Sequence, residues 1–194
     1  MKERTEKLGA KAKVSATILQ AHLGWAKEKW GQAVSARLVP LVDGEARALL
    51  DRELVPTEQI LFRDLVHIAS GIAAADGGDR ETVFYELGRH SAHVNLGGAY
   101  KSFVPETPHR FFEQMSFLHR TFQNFGKSNY EKLGARAGRI RLEDYGEYSP
   151  MFCISGRGYY EESLRMMKAP GPIVVDETSC QCAGDATCTF ELSW

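Results

Sequence analysis

The hydrophobic pattern changes period once along this chain, near Gly126. Before that point apolar residues recur at helical spacing; after it they sit in short alternating or β-branched runs. Val14, Ile18, Leu19, His22, Leu23, Ala26 and Trp30 predict an amphipathic helix within residues 1–35. One or two short helices follow over 36–55, broken around Pro40 and Gly44. A longer helix, capped near Thr57, runs through Ile60, Leu61, Leu65, Ile68 and Ile72 to the turn at Asp76–Asp79. Another is expected from Arg80 to about Phe103, and an aromatic-rich one through Phe111, Phe112, Met115, Leu118, Phe122 and Phe125. Strand character then appears at Ala135–Tyr145, Pro172–Glu177 and Cys188–Trp194, with a helix over Ser155–Lys168 between the first two. Helices first, then β-α-β-β, predicts an α+β fold with the helices packed on one face of a small antiparallel sheet. Residues 1–35 read as an N-terminal helical extension and 36–194 as one domain.

Charge and cysteine usage narrow the function. The formal net charge is -1, and Lys and Arg form no dense block, so the concentrated basic surface that nucleic-acid binding needs is missing. No apolar run approaches the roughly 20 residues that span a bilayer. The N-terminus lacks the apolar core and cleavage site of a secretory signal. A cytoplasmic location and reduced thiols are the resulting expectation. All four cysteines lie in the last 42 residues. Cys180 and Cys188 flank a Gly184-Asp185 turn, Glu177 precedes Cys180 by three residues, and Cys153 stands before the intervening helix. Thiolates with a carboxylate suit a tetrahedral Zn2+ site. The same spacing also suits reduced, half-buried cysteines that hold no metal.

The segment Cys153–Trp194 resembles the 4-vinyl reductase (V4R) domain. The residues that carry the likeness are Cys153, Gly158-Tyr159, Glu177-Thr178-Ser179-Cys180, Gly184-Asp185 and Cys188-Thr189-Phe190. That domain also occurs in sensor modules of aromatic-responsive transcription activators, and is related to TRAPP tethering subunits and to heme-based nitric oxide sensors. Leu87–Ala92, Asn95–Tyr100 and the Cys-rich end are similar to an uncharacterised family abundant in myxobacteria. The resemblance implies zinc ligands at Cys153, Glu177, Cys180 and Cys188. Cys182 departs from the pattern; it is an alternative ligand, a reversible disulfide partner, or a packing residue.

Other candidates are weighed by residue type. Glu86, His90 and His93 share a helix face, where solvation is the commoner outcome. His67 reads as a core or boundary residue. No motif selects a proximal histidine, so heme is not expected. Phe84, Phe103, Phe112, Phe117, Phe122 and Tyr130 are the candidate lining of a pocket for a small apolar or aromatic ligand, with His109, His119 or Tyr130 as its polar anchor. The same aromatics would equally serve as core. No dinucleotide loop, Walker motif or nucleophile elbow is present, and Glu161-Glu162 diverge on a helix, so no catalytic residues are assigned. The expected function is a non-enzymatic sensing or regulatory module acting through a homodimer or a downstream protein partner. A TRAPP-like scaffold and a tetrapyrrole vinyl reductase are the alternatives that the resemblance implies.

Overall fold

Helix α1 (Ala16–Trp30) begins only after a short strand, β1 (Lys13–Ser15), because Ser15 turns the chain and caps the helix by accepting from Thr17 N. The structure, a computed structural model, describes residues 4–98 and 105–194. Helices α2 (Val34–Leu38) and α3 (Gly44–Ala48) follow, then strand β2 (Gln59–Leu61), which pairs antiparallel with β1. Thr57, expected to cap a helix, lies in a turn before β2, and the helix α4 (Phe62–Asp76) starts at Phe62. Its C-cap Gly77 is left-handed, as the Asp-Gly-Gly-Asp signal requires. Helix α5 (Arg80–Gly97) is capped by Asp79, whose carboxylate accepts from Thr82 N at 2.8 Å. The expected continuation to Phe103 falls largely outside the described residues. Helix α6 (Pro108–Phe122) starts on a Thr107 cap with Pro108 in its first turn.

The second half is a four-stranded antiparallel sheet covered by α6 and by the helix that follows its first two strands. Its strands are β3 (Lys127–Gly134), β4 (Ala137–Glu143), β5 (Val174–Ser179) and β6 (Cys188–Ser193), in the order β3-β4-β6-β5. The α+β architecture is the one that the pattern predicts. This sheet has one strand more than expected: β3 is mostly polar and sits at a sheet edge, so it carries no apolar alternation to read. In the central pair, Ile140 faces Phe190 and Leu142 faces Cys188, which places the buried positions of β4 and β6 on one face. Helix α7 (Pro150–Met166) begins five residues earlier than the expected Ser155, with Ser149 as its cap. Cys153 therefore lies inside the first turn of α7 instead of before the helix.

Two cores meet at α7. One is helical, built on Val14, Leu19, Phe62, Leu65, Ile68 and Leu87; the other joins Phe111, Phe112 and Leu164 to Ile140, Phe190 and Leu192 of the sheet. Phe125 and Phe152 touch both. Helix α7 reaches this position because it crosses α5 backbone to backbone. A Cβ at Gly88 would lie 1.8 Å from Ser155 O, and one at Gly158 would lie 2.2 Å from Tyr85 O. Both obstructing atoms are backbone and cannot swing aside. Residues 4–15 run across the second half: Lys7 pairs with Tyr148, and Glu147 accepts from the backbone of Gly9 and Ala12.

Gly88→Ala is expected to lower stability by at least about 1–3 kcal/mol, the usual cost of overpacking. Gly146→Ala, where an added Cβ meets nothing within 4 Å, should be near neutral. Urea denaturation of both variants tests this; equal midpoints would contradict the close helix crossing.

Candidate functional site

The C-terminal cysteines converge because three local features bring their chain segments together. The left-handed Gly184 closes a turn in which Asp185 accepts from Cys180 N at 2.8 Å, while Asp185 N donates to Cys180 O at 3.1 Å. Gln181 N donates to Cys188 Sγ at 3.3 Å, which aims that sulfur inward. The first turn of α7 then lays Cys153 on the hairpin. Cys153 Sγ lies 3.6 Å from Cys188 Sγ and 3.7 Å from Cys180 Sγ. With a Glu177 carboxylate oxygen, these ligand atoms all lie within 4.8 Å of one another. Among the described residues this is the group that could hold a metal ion.

The electrostatics of the cluster are those of a crowded, buried anion site. Hydrogen bonds from Cys153, Cys182 and Cys188 hold the Cys180 thiol far below its ordinary range, while Cys153 is pushed well above it. Burial raises the Glu177 carboxyl to about 7, partly countered by Arg4. Arg4 Nη2 donates to Glu177 Oε2 at 2.7 Å, and Glu177 Oε1 is buried with no hydrogen-bond partner. Cys182 is 1% exposed and 4.0 Å from Cys153 Sγ. It sits in a 3-10 turn, so the strand alternation that would place it on the Cys180 face does not apply.

A cavity of about 150 Å³ lies between α1, α5, α6, α7 and the sheet. Its apolar lining includes Ile18, Phe112, Met115, Phe122, Phe152 and Tyr160. The polar residues at its wall are more informative. Tyr145 Oη is 2.6 Å from His119 Nε2 and 2.7 Å from Gln123 Nε2. Gln123 Nε2 can only donate, so the phenol proton goes to His119 Nε2. The neutral His119 then carries its proton on Nδ1, which is buried and unpartnered. Burial, with Arg120 nearby, brings His119 down to about 4. His22, also in the wall, is 1% exposed, has an unpartnered Nδ1, and is pushed by burial and by His90 to about 3. The wall thus holds two neutral imidazoles, each with an unused nitrogen.

Among the aromatics singled out in the sequence, Phe112 and Phe122 line this cavity. Phe84 is buried in the helical core instead. Tyr130 stacks on Phe112 and hydrogen-bonds His109 Nδ1 at 2.7 Å. Phe117 is corrected: it is 84% exposed, because its position on α6 is turned away from the face that carries Phe112, Met115 and His119. Phe103 lies outside the described residues. The histidine face of α5 is used in ion pairing, with His93 Nε2 2.9 Å from the buried Glu162, which Arg89 and Arg165 also hold. His67 is a boundary residue 3.7 Å from Asp43. Sequence reasoning missed Tyr145 and Gln123, which stand in loops without periodicity. His22 was in view only as a member of a helical stripe.

A family model described as "Protein of unknown function (DUF2378)" matches residues 31–194. Among curated proteins, none matches. Solved structures share the fold at low identity. The unliganded Fe(II) H-NOX protein from K. algicida is 10% identical with a TM-score of 0.69, over 92% of this chain and 95% of that one. The H-NOX protein from S. oneidensis in the Fe(II)NO state is 13% identical with a TM-score of 0.68, over 92% and 98%. An oxygen-binding H-NOX domain related to soluble guanylate cyclases is 15% identical with a TM-score of 0.67, over 92% of each chain. Other similar structures are named for heme and its distortion. This corrects the argument against heme made from the sequence: a missing proximal-histidine motif does not exclude heme from such a fold. No helix of the described residues is long and apolar enough to cross a membrane.

The two buried imidazoles make stability depend on pH. In the unfolded chain they take up protons near pH 6.5; folded, His22 does so only near 3 and His119 near 4. The unfolded state binds more protons in that interval, so stability is full above about 6.5 and falls as pH drops. For His22 the loss is about 2 kcal/mol by pH 5. Urea titrations at pH 7 and 5 should show a smaller decline in His22→Leu than in the parent; parallel declines would refute the assignment.

Proposed function

We propose that this chain, which belongs to the DUF2378 family, is a non-enzymatic sensing module that takes a small apolar ligand bearing a hydrogen-bond acceptor into the α1/α5/α6/α7 cavity. The observation that carries the reading is His119, fixed by Tyr145 with its buried Nδ1–H unused, in a mainly apolar wall that also holds the unpartnered His22 Nδ1. An unsatisfied buried donor costs roughly 1–3 kcal/mol, and a ligand acceptor would recover it. A cavity of this volume matches a single ring; an engineered protein cavity of about 150 Å³ binds benzene. The H-NOX fold and the V4R resemblance both support a sensing role, with output through a second copy or a protein partner.

A porphyrin does not fit the cavity as it is built. Pockets for drug-sized ligands begin at about 300 Å³, and a tetrapyrrole needs more. Of the two wall imidazoles, His119 has its Nε2 engaged by Tyr145, while His22 keeps an unpartnered Nδ1. No step of the reading passes through heme.

The residues do fit a zinc ion at the cysteine cluster. A tetrahedral zinc with sulfur at about 2.3 Å sets its thiolates about 3.8 Å apart, and the observed contacts of Cys153 to Cys188 and Cys180 are 3.6 and 3.7 Å. The Glu177 carboxyl, which lies against the Cys180 thiol and keeps Oε1 free of any other hydrogen bond, would supply the fourth donor. Cys153, Glu177, Cys180 and Cys188 would hold the ion, which contributes charge and a fixed geometry without redox chemistry. Bound there, it would pin the first turn of α7 to the β5–β6 hairpin.

Three measurements test these readings. Elemental analysis of reduced protein should find about one zinc per chain; a fully folded protein with none would refute the metal centre. Benzaldehyde or benzonitrile at about 100 times its Kd should stabilise the protein by about 2.7 kcal/mol. That is a rise of about 5–10 °C in the thermal midpoint for a chain of this size. Toluene at the same concentration, having no acceptor, should give less, and His119→Phe should abolish the difference. Incubation with hemin should give no Soret band of a ligated heme; stoichiometric binding would overturn the small-ligand reading.

A further inference from the structure

The metal reading accounts for four side chains, yet besides Cys182 the cluster has a charged neighbour that it does not use. Arg4 reaches Glu177 across 173 positions of sequence, from a segment before the stretch that the family model matches. Its guanidinium takes Oε2 at 2.7 Å; Oε1 is buried with no hydrogen bond of ordinary geometry, in a carboxyl that lies against the Cys180 thiol. The neighbouring residue fixes the approach: Thr5 N donates to Cys182 O at 2.8 Å, and Thr5 Oγ1 contacts the same carbonyl at 3.3 Å. Arg4 is thereby clamped onto the turn that carries the ligands. The side chain of Glu177 is 8% exposed and that of Arg4 31%, so this is a charge-assisted contact at the edge of the buried cluster.

Resting on the zinc reading above, we propose that Arg4 is a positioning residue of the metal centre. It occupies one oxygen of Glu177 so that the other is presented to the three sulfurs. A carboxylate on its own can rotate, chelate through both oxygens or turn away; one oxygen held by a guanidinium leaves a single ligand atom in a fixed direction. Ligating carboxylates are ordinarily held by such outer partners, and loss of one typically lowers metal affinity 10–100-fold. Charge points the same way. Three thiolates and a carboxylate remain anionic once a dication is bound, and the Arg4 guanidinium offsets that buried charge. The segment carrying Arg4 thus belongs to the centre as much as the cysteines do, although none of its residues is a ligand.

The test is zinc affinity of the reduced full chain, measured by competition with a chromophoric chelator, with the visible spectrum of the Co2+ form as a second readout. R4Q should weaken zinc 10–100-fold, and R4K, which restores a cation within reach, should recover part of the loss. R4Q should also alter the Co2+ bands, because the oxygen donor loses its fixed direction. E6Q is the control: Glu6 accepts from Ser149 Oγ at 3.0 Å on the same segment without touching Glu177. It should leave affinity and spectrum unchanged. R4Q binding zinc as tightly as the parent overturns the positioning role while the metal reading stands. Equal losses in R4Q and E6Q overturn it too, since they would show only that the segment supports the fold. A parent chain that takes up no zinc overturns both readings.

Discussion

The backbone contact between α5 and α7 at Gly88 and Gly158 is the constraint on which the rest of the structure depends. Two helices that touch without intervening side chains lie closer than side-chain packing would allow. That closeness fixes α7 along its whole length. Phe152, Ser155 and Tyr160 of α7 then form one wall of the cavity, while Cys153, one residue from Phe152, faces the hairpin. A helix held less closely would open the cavity and draw Cys153 away from Cys188 at once. Both candidate sites thus rest on two residues whose contribution is the absence of a side chain.

The polar groups buried around α7 fall into two kinds. Glu162 is fully engaged, by Arg89, Arg165 and His93, and so carries no unmet demand. His22, His119 and Glu177 are different, since each keeps a buried nitrogen or oxygen without a partner. Native interiors seldom tolerate such atoms without a reason. Here they gather at the cavity wall and at the cysteine cluster.

How much of this was legible in the sequence follows from which signals are local. The long helices and the buried strands β4 and β6 were readable because one face of each is apolar and repeats at a fixed period. Edge strand β3 was not, since a polar strand at a sheet edge leaves no alternation. Strands β1 and β2 were lost because three residues are too few to show a period, and their pairing spans more than forty positions of sequence. The residues Cys153, Glu177, Cys180 and Cys188 could be named from cysteine spacing and family resemblance, but Arg4 could not, because its partner lies at the other end of the chain. Phe117 misled for the opposite reason: composition marks an aromatic as core, whereas its place on the helix turns it outward.

The cavity and the cluster are joined by more than α7. Tyr145 sends its phenol to His119 and Gln123 at the cavity, while its backbone carbonyl accepts from Gln181 Nε2 at 3.2 Å beside the cysteines. Gln123 in turn lies opposite Val14 in an isolated bridge, on the segment that leads back to Arg4. The proposed ligand site and the proposed metal site therefore share Tyr145, whose ring borders the cavity and whose backbone carbonyl borders the cysteine cluster. If occupancy of one site alters the affinity of the other, the effect must be equal in both directions. The short path for it is Tyr145 and the first turn of α7, because these are the elements that both sites require in one position.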